Sequence, residues 1–260
     1  MKTQEKENKS EMVDNFIRGV LVHNHYLAYK YHKKIYNLKE RAIPLLSKKV
    51  QHYISDPRQV NVLTALLSLI HDLDENVSKE LVLELSESIS DPIIKIRIKP
   101  ILDFSLSNFN MVSHKELKIF IDKKLPNPKY IHKKISQWLN NVPPEDLDHI
   151  ERLFIVLDGD KNASGTYLPV LYVIMVKWQT GIQLIDSLPF LRNLGAEWVL
   201  YHEVGHHFHQ HKFGYDLNHE NEADQYARSM FRKTHPILVK IVTVLVNIIK
   251  ALRKIIPKRT

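Results

Sequence analysis

The chain contains no cysteine, and its first residues contain no apolar run. Without cysteine there is no disulfide in the fold and no thiolate to bind a metal, which fits a reducing compartment. Residues 1–11 are rich in lysine, glutamate and asparagine, and they lack the apolar core of a secretory signal. We therefore predict a disordered tail at 1–11 and a cytoplasmic location.

Acidic residues are missing from the last part of the chain. Residues 232–260 contain eight Lys or Arg and no Asp or Glu, so the formal net charge of +8 belongs to this segment. We predict a basic amphipathic C-terminal helix within 236–260, at about 236–256, whose polar stripe includes Lys240, Asn247 and Lys250.

This terminal helix leaves three roles open. It can pack in a core or a dimer, lie on an anionic membrane surface through residues 236–256, or cross a bilayer, although the polar stripe opposes crossing. Peripheral membrane association is therefore an alternative to a purely cytoplasmic location. No aromatic residue is interleaved with the positive charge, which disfavours nucleic acid as a partner.

Two short motifs carry metal-binding chemistry. The segment His202–His206 has the pattern HExxH, and the segment Glu220–Asp224 has the pattern ExxxD. Residues four apart share one face of a helix, so His202 and His206 can present two imidazoles to one ion. Glu203 then flanks the ion and can take a proton from a water molecule.

A third ligand must come from outside HExxH, because a catalytic zinc takes three protein ligands and keeps one position open. Glu220 is the better candidate and Glu222 is its rival, since a helix cannot aim residues two apart at one ion. The pair Ala223–Asp224 that follows favours Glu220. Asp224 can hydrogen-bond the outer nitrogen of a ligand histidine and fix its orientation.

The other histidines near HExxH have weaker assignments. His207 is expected to point away from the metal face of the helix. His209, His211 and His219 are expected at a solvated helix end, with a substrate contact as the alternative for each. His209 and Lys212 stand where a metzincin has glycine and histidine, which excludes that class.

The motif pair resembles the gluzincin clan of zinc peptidases. The segment Glu220–Ala227 is similar to the E-x-x-A-D/N-x-x-A segment of HtpX-type and ImmA/IrrE-type peptidase domains, and the resemblance covers about residues 150–235. It implies one zinc ion and assigns the site residues: His202, His206 and Glu220 as ligands, and Glu203 as the catalytic base. The sequence has neither the flanking membrane helices of the first type nor the DNA-binding helix-turn-helix of the second.

Three short segments before HExxH predict strands: Arg152–Leu157, Gly165–Val176 and Gln183–Ile185. Pro169 lies inside the second segment, which favours an edge strand. An edge strand beside the metal would let an extended peptide add itself through backbone hydrogen bonds, so we expect a peptide or protein substrate. Asp158–Asp160 is expected to form a plain turn and not a calcium loop.

Residues 12–125 predict consecutive helices. Asp56-Pro57 and Asp91-Pro92 recur 35 residues apart, which is typical of helix starts and leaves two alternatives, a HEAT-like helical repeat or an irregular bundle. This region would bind a protein partner or substrate, or cover the active site. A helix at about Lys129–Asn140, within 126–148, would link it to the second half.

These observations together predict an α+β fold that is predominantly α. A helical N-terminal region precedes a zincin-like domain, at 149–235, with a small sheet and the HExxH helix. The expected function is zinc-dependent peptide hydrolysis. The alternative is a helical binding or regulatory protein with a structural or vestigial zinc site, which the intact Glu203 opposes because a structural site needs no base.

Overall fold

A computed structural model of the chain describes residues 8–157, 164–168, 171–179, 186–211, 216–241 and 243–244. The fold is α+β and predominantly α, as the sequence predicts. Six helices come first: α1 Lys9–Leu21, α2 His25–Tyr36, α3 Ile43–Tyr53, α4 Val60–Leu73, α5 Glu75–Ser88 and α6 Pro92–Asp103. The remaining helices are α7 Pro128–Leu139, α8 Pro189–Phe208 and α9 Leu217–Thr234, and the strands are β1 Phe109–His114, β2 Leu117–Asp122, β3 Arg152–Val156, β4 Gly165–Leu168 and β5 Val173–Lys177.

The first six helices enclose a core around α4. This helix is the most apolar of the six, and it contacts α1, α2, α3, α5 and α6. Both Asp-Pro pairs mark helix starts: Asp91 caps α6, and Asp56 caps a short 3-10 turn that leads into α4. Contacts of one helix with five others describe a bundle, whereas each pair in a linear repeat contacts only its neighbours.

The five strands within the described residues form one mixed sheet in the order β1-β2-β3-β5-β4. The central pairs β2–β3 and β3–β5 are parallel, and the outer pairs β1–β2 and β4–β5 are antiparallel. Helix α7 connects the parallel strands β2 and β3, as such a crossover requires. Among the described residues, strand β4 lies at one edge of the sheet, with a partner strand on one side only.

One helix prediction and one strand prediction are wrong in part. Residues 109–122, expected to be helical, form the β1–β2 hairpin, so the sheet begins well before residue 149. The segment Gly165–Val176, expected as a single strand, contains the separate strands β4 and β5. Strand β3 confirms the strand at Arg152–Leu157 with an end one residue earlier, while Gln183–Ile185 and the turn at 158–160 lie outside the described residues.

The two faces of the sheet are covered by different helices. Alternate strand residues such as Ile119, Leu153 and Ile174 share a core with α7, α8 and α9. The intervening residues, including Phe154, face a second core that contains Phe104 from the end of α6. The sheet therefore separates α6 from the HExxH helix, which argues against a lid role for that part of the N-terminal region.

A buried ion pair fastens the first helices to the sheet. Asp72 near the end of α4 accepts two hydrogen bonds from the guanidinium of Arg152 at the start of β3, at 2.7 and 2.6 Å. His32 lies 3.6 Å from the same carboxylate. Burial would raise the pKa of Asp72, but His32 and Arg152 together hold it at about 2.

The remaining boundary predictions have mixed outcomes. Helix α1 begins at Lys9, so residues 9–11 are helical and not part of a tail, while residues 1–7 lie outside the described residues. Helix α7 confirms the helix expected at about Lys129–Asn140, but it packs on the sheet and is not a free linker.

Of the predicted terminal helix, residues 236–241, 243 and 244 are helical and the rest is not described. In the part of the chain that the structure describes, no helix has the length and apolar character needed to cross a bilayer.

Candidate metal centre

Helix α8 presents the two histidines of HExxH on one face. Its opposite face, with Ala196, Leu200 and Val204, is buried against the sheet, and Pro189 begins the helix. His202 and His206 therefore lie one turn apart, and their Nε2 atoms are 3.0 Å from each other. This is the arrangement that the i, i+4 spacing predicts.

Helix α9 brings a carboxylate to the same point. Asp216 caps this helix through the backbone N–H of Asn218, and Glu220 follows in its first turn. The carboxylate oxygens of Glu220 lie 3.3 Å from Nε2 of His202 and 3.6 Å from Nε2 of His206. These three residues thus form a group that could hold a metal ion.

The spacing of the possible ligand atoms is close to that around a tetrahedral zinc ion. Ligand atoms about 2.0–2.1 Å from such an ion lie roughly 3.3 Å apart. The two Nε2 atoms are 3.0 Å apart, Oε2 of Glu220 is 3.3 Å from Nε2 of His202, and Oε1 of Glu220 is 3.6 Å from Nε2 of His206. Two imidazoles and one carboxylate are also a donor set that zinc accepts in catalytic sites. The residues present therefore fit the group that the motif implies.

Close contact between α8 and α9 makes this geometry possible. A Cβ added at Gly205 would lie 2.9 Å from Cα of Ala223 and 3.0 Å from Cβ of Tyr226. Ala223 itself is fully buried. Glycine on one helix and alanine on the other therefore allow Glu220 to reach the histidines.

Asp224 occupies the place that the sequence assigns to it. Its Oδ1 lies 3.1 Å from Nδ1 of His202, the ring nitrogen that does not face Glu220. Its second oxygen accepts a hydrogen bond from Arg228 at 3.3 Å. A carboxylate in this position fixes the ring orientation and keeps the proton of His202 on Nδ1, so Nε2 is free for a metal.

Glu203 is buried at the start of the edge strand. It is 5% exposed, and the strand passes so close that a Cβ on Gly165 would lie 2.5 Å from its Oε1. Burial and then the charge of Glu220 raise the pKa of Glu203 to about 8, against a lowering by a backbone hydrogen bond from Tyr167. Without a nearby cation, this carboxyl is therefore protonated at neutral pH.

Nδ1 of His206 contacts His211, a residue for which the sequence predicts a different environment. His211 was expected at a solvated helix end, but it is 4% exposed and its Nδ1 lies 2.7 Å from Nδ1 of His206. Nε2 of His211 lies 2.8 Å from Oε2 of Glu222. Glu222, the rival third ligand, therefore binds His211 and not the His202–His206 pair.

The surroundings of His206 favour a neutral ring where a metal would bind. Burial, followed by the nearby His202 and His211, lowers the pKa of His206 to about 3.

A second group, His209, His211 and Glu222, also has potential ligand atoms within 4.8 Å of one another. His209 is exposed, as expected for the helix end.

The remaining residues near the motifs have structural contacts. His207 points away from the metal face, as predicted, and its two nitrogens lie against Tyr167 and the backbone oxygen of Asp148. Tyr226 donates its hydroxyl proton to Asp146 at 2.6 Å.

In comparisons with known protein families, curated proteins and solved structures, the chain matches none of them. The functional assignment therefore depends on the geometry of the site itself.

Proposed function

We propose that the protein is a zinc-dependent peptidase. One observation carries this proposal: a group of two histidines and a glutamate that could hold a metal ion lies next to a buried carboxyl, Glu203, that a purely structural zinc site would not need. His202, His206 and Glu220 would hold one Zn²⁺. A bound zinc ion supplies a Lewis acid that lets water lose a proton near neutral pH.

Glu203 would carry out both proton transfers of the reaction. A cation next to Glu203 favours its ionised form, so the carboxylate can accept a proton from water. The protonated Glu203 is then placed to deliver that proton to the leaving amine. Burial keeps bulk water away from this carboxyl and maintains its high proton affinity between the two steps.

The edge of β4 that has no partner strand among the described residues supports a peptide as the substrate. The carbonyl of Ser164 accepts a hydrogen bond from Lys177 N–H at 2.9 Å, so by alternation the backbone groups of Gly165 and Tyr167 point away from β5. The Tyr167 N–H already donates to Glu203, which leaves the other backbone groups of these two residues for a substrate strand. This edge runs past Glu203. An extended peptide that pairs with β4 would thus bring its backbone to the reacting groups.

Metal analysis and peptide digestion of the same preparations test the proposal. The wild type should bind one zinc ion per chain and cleave members of a peptide library. Glu203→Gln should keep the zinc and lose at least a hundredfold in kcat, whereas His202→Ala should lose both. Retained cleavage in Glu203→Gln would contradict the mechanism. Zinc binding without any cleavage by the wild type would favour the alternative, a binding or regulatory protein with a structural zinc site.

N-methylated substrates test the role of β4 without changing the protein. Once a cleaved peptide is known, methylation of single backbone nitrogens should raise KM about tenfold or more at alternate positions only. The positions between should tolerate methylation, because their N–H groups would point away from the strand. An effect without this period of two would count against pairing with β4.

We also propose that the terminal segment attaches the protein to anionic membranes. Ile237, Ile241 and Val244 are exposed at helical spacing beside the positive charge of residues 232–260. Sedimentation with phosphatidylserine vesicles should pull down the wild type, and replacing Ile237 and Ile241 by serine should weaken this. Equal binding to neutral vesicles would contradict an electrostatic contribution.

A protein partner on α1–α6 remains a prediction that the same preparations can test by co-purification.

A further inference from the structure

The pair His211 and Glu222 lies just outside the metal group and contacts only one of its histidines. We infer that His211, held by Glu222, positions His206 for zinc, and that this role excludes a second metal ion on the group His209, His211 and Glu222. The inference rests on the proposed zinc site. It assigns each ligand histidine its own partner: Asp224 for His202 and His211 for His206.

The position of His211 follows from a sharp reversal of the chain after α8. Gln210 has a φ of 55°, in the left-handed region, and the N–H of His211 donates to the backbone oxygen of His206 at 3.0 Å. The ring of His211 also stacks on His219 from the first turn of α9, at 4.3 Å between centroids. Both helices therefore fix this ring, although it belongs to neither.

Proton positions decide what His211 can do. A histidine that binds a metal through Nε2 carries its proton on Nδ1. His206 must therefore donate across the 2.7 Å contact, and Nδ1 of His211 must accept. A neutral His211 then has its own proton on Nε2, where it donates to Glu222 at 2.8 Å. Both ring nitrogens of His211 then have a partner.

A second metal ion on His211 would break this pattern. An ion bound to its Nε2 would force the proton onto Nδ1, so two N–H groups would face each other at 2.7 Å. One of the rings would then have to give up its last ring proton. With zinc on His206, the same geometry that favours a positioning role for His211 therefore opposes a second ion.

Zinc affinity measured by chelator competition, with zinc content per chain, tests the inference on the full-length protein. The wild type should bind one zinc ion. His211→Leu should raise the zinc dissociation constant about 10- to 100-fold, the range typical for loss of a residue that orients a ligand. His211→Asn should recover much of this loss, because its Oδ1 can accept the Nδ1 proton of His206. Glu222→Gln should have a smaller effect than His211→Leu, since an amide oxygen can still accept from His211.

His209 provides the matched control. It stacks on His211 and belongs to the same potential metal group, but it is not a member of the His206–His211–Glu222 chain of hydrogen bonds. His209→Ala should leave zinc affinity and the zinc content unchanged. Two zinc ions on the wild type, with one lost in both His209→Ala and His211→Leu, would overturn the inference in favour of a second metal site.

The remaining outcomes separate the inference from the proposed function. A wild type that binds no zinc would overturn both. Zinc binding with less than a twofold change in His211→Leu would overturn the inference alone. A thermal unfolding curve of metal-free His211→Leu checks that this variant is folded. If it is unfolded, the zinc affinities of His211→Asn and Glu222→Gln are compared with that of the wild type. Equal affinities in all three proteins would contradict a positioning role for His211.

Discussion

Gly165 lies directly against the carboxylate of Glu203, so that a Cβ at position 165 would come within 2.5 Å of Oε1 and 2.8 Å of Cγ. The edge strand and the base of HExxH thus share a space that only glycine leaves open. Strand β4 is therefore both the proposed substrate edge and one wall of the pocket that holds Glu203.

The first prediction concerns this contact. Gly165→Ala should displace the Glu203 carboxylate by roughly the overlap of one methyl group, and misplacement on this scale lowers kcat about 10- to 100-fold. Zinc affinity should stay close to that of the wild type, because no ligand moves. Thr166→Ala, on the same strand, adds no atom beside Glu203 and is the control for general effects on β4. Equal kcat in both variants would show that the contact is unimportant.

The second prediction concerns the separation of α8 and α9. Gly205→Ala places a methyl group 2.9 Å from a backbone atom of Ala223, so the helices must move apart. Overpacking of this kind costs about 1–3 kcal/mol, which exceeds the gain of about 1 kcal/mol that alanine brings to a helix. Zinc affinity should fall at least tenfold, because Glu220 moves away with α9.

Gly19 supplies a matched control for this variant. It lies at the contact of α1 and α2, where a Cβ would come within 2.5 Å of the backbone nitrogen of Ala28. Gly19→Ala should lower the melting temperature comparably but leave zinc affinity unchanged. If both variants weaken zinc binding alike, the effect reflects overall stability and not the separation of α8 and α9.

The third prediction concerns pH in the metal-free protein. The pKa of Glu203 is raised to about 8 in the folded chain, well above its usual value, so folding favours the protonated form. Its contribution to stability is therefore complete below about pH 4.5 and is lost as pH rises through about 8, with a slope of at most about 1.4 kcal/mol per pH unit. Glu203→Gln should remove this slope. Urea titrations with a chelator, from pH 5 to pH 9, measure it, and parallel curves for both proteins would be the contrary result.

The fourth prediction compares two ion pairs of similar pKa and different burial. The carboxyls of Asp72 and Asp56 both have a pKa near 2, but Asp72 is buried with Arg152 while the Arg58 partner of Asp56 is 89% exposed. Asp72→Asn should cost about 3–5 kcal/mol, because it leaves a buried guanidinium without its counter-charge. Asp56→Asn should change stability little.

The pH dependence of this pair has the opposite sign to that of Glu203. A lowered pKa means that the Asp72 contribution is present above about pH 4 and is lost as the pH falls toward 2. Denaturant melts of the wild type and Asp72→Asn between pH 2 and pH 6 should therefore converge at the acid end. A constant difference over this range would show that the ionised Asp72 is not what stabilises the fold.

Local spacing explains which parts of the site the sequence reveals. One helix sets the relative positions of His202, Glu203 and His206, and a second helix sets those of Glu220 and Asp224. Spacings of one and four residues along a helix therefore suffice to predict each set. The arrangement of the strands depends on turns. Lys115 and Tyr172 adopt positive φ at the turns of the two hairpins without the glycine or asparagine that usually signals such a turn.

Contacts between different helices and strands produce no such spacing pattern in the sequence. His211 comes to His206 because the chain reverses at Gln210, after the helix has ended, and no periodicity links these positions. The pairing of Asp72 with Arg152 likewise joins residues that are 80 apart in the chain. Both required the three-dimensional structure, since their partners are set by packing and not by sequence distance.

The placement of ligands on two helices has a consequence for a chain without cysteine. A zinc ion shared by α8 and α9 would act as a cross-link that closes the segment between them, a role that disulfides fill elsewhere. Unlike a disulfide, this link depends on concentration, and each tenfold rise in free zinc above the dissociation constant would add about 1.4 kcal/mol to the stability of the folded state. The lifetime of the protein against proteolysis would then follow the supply of zinc around it.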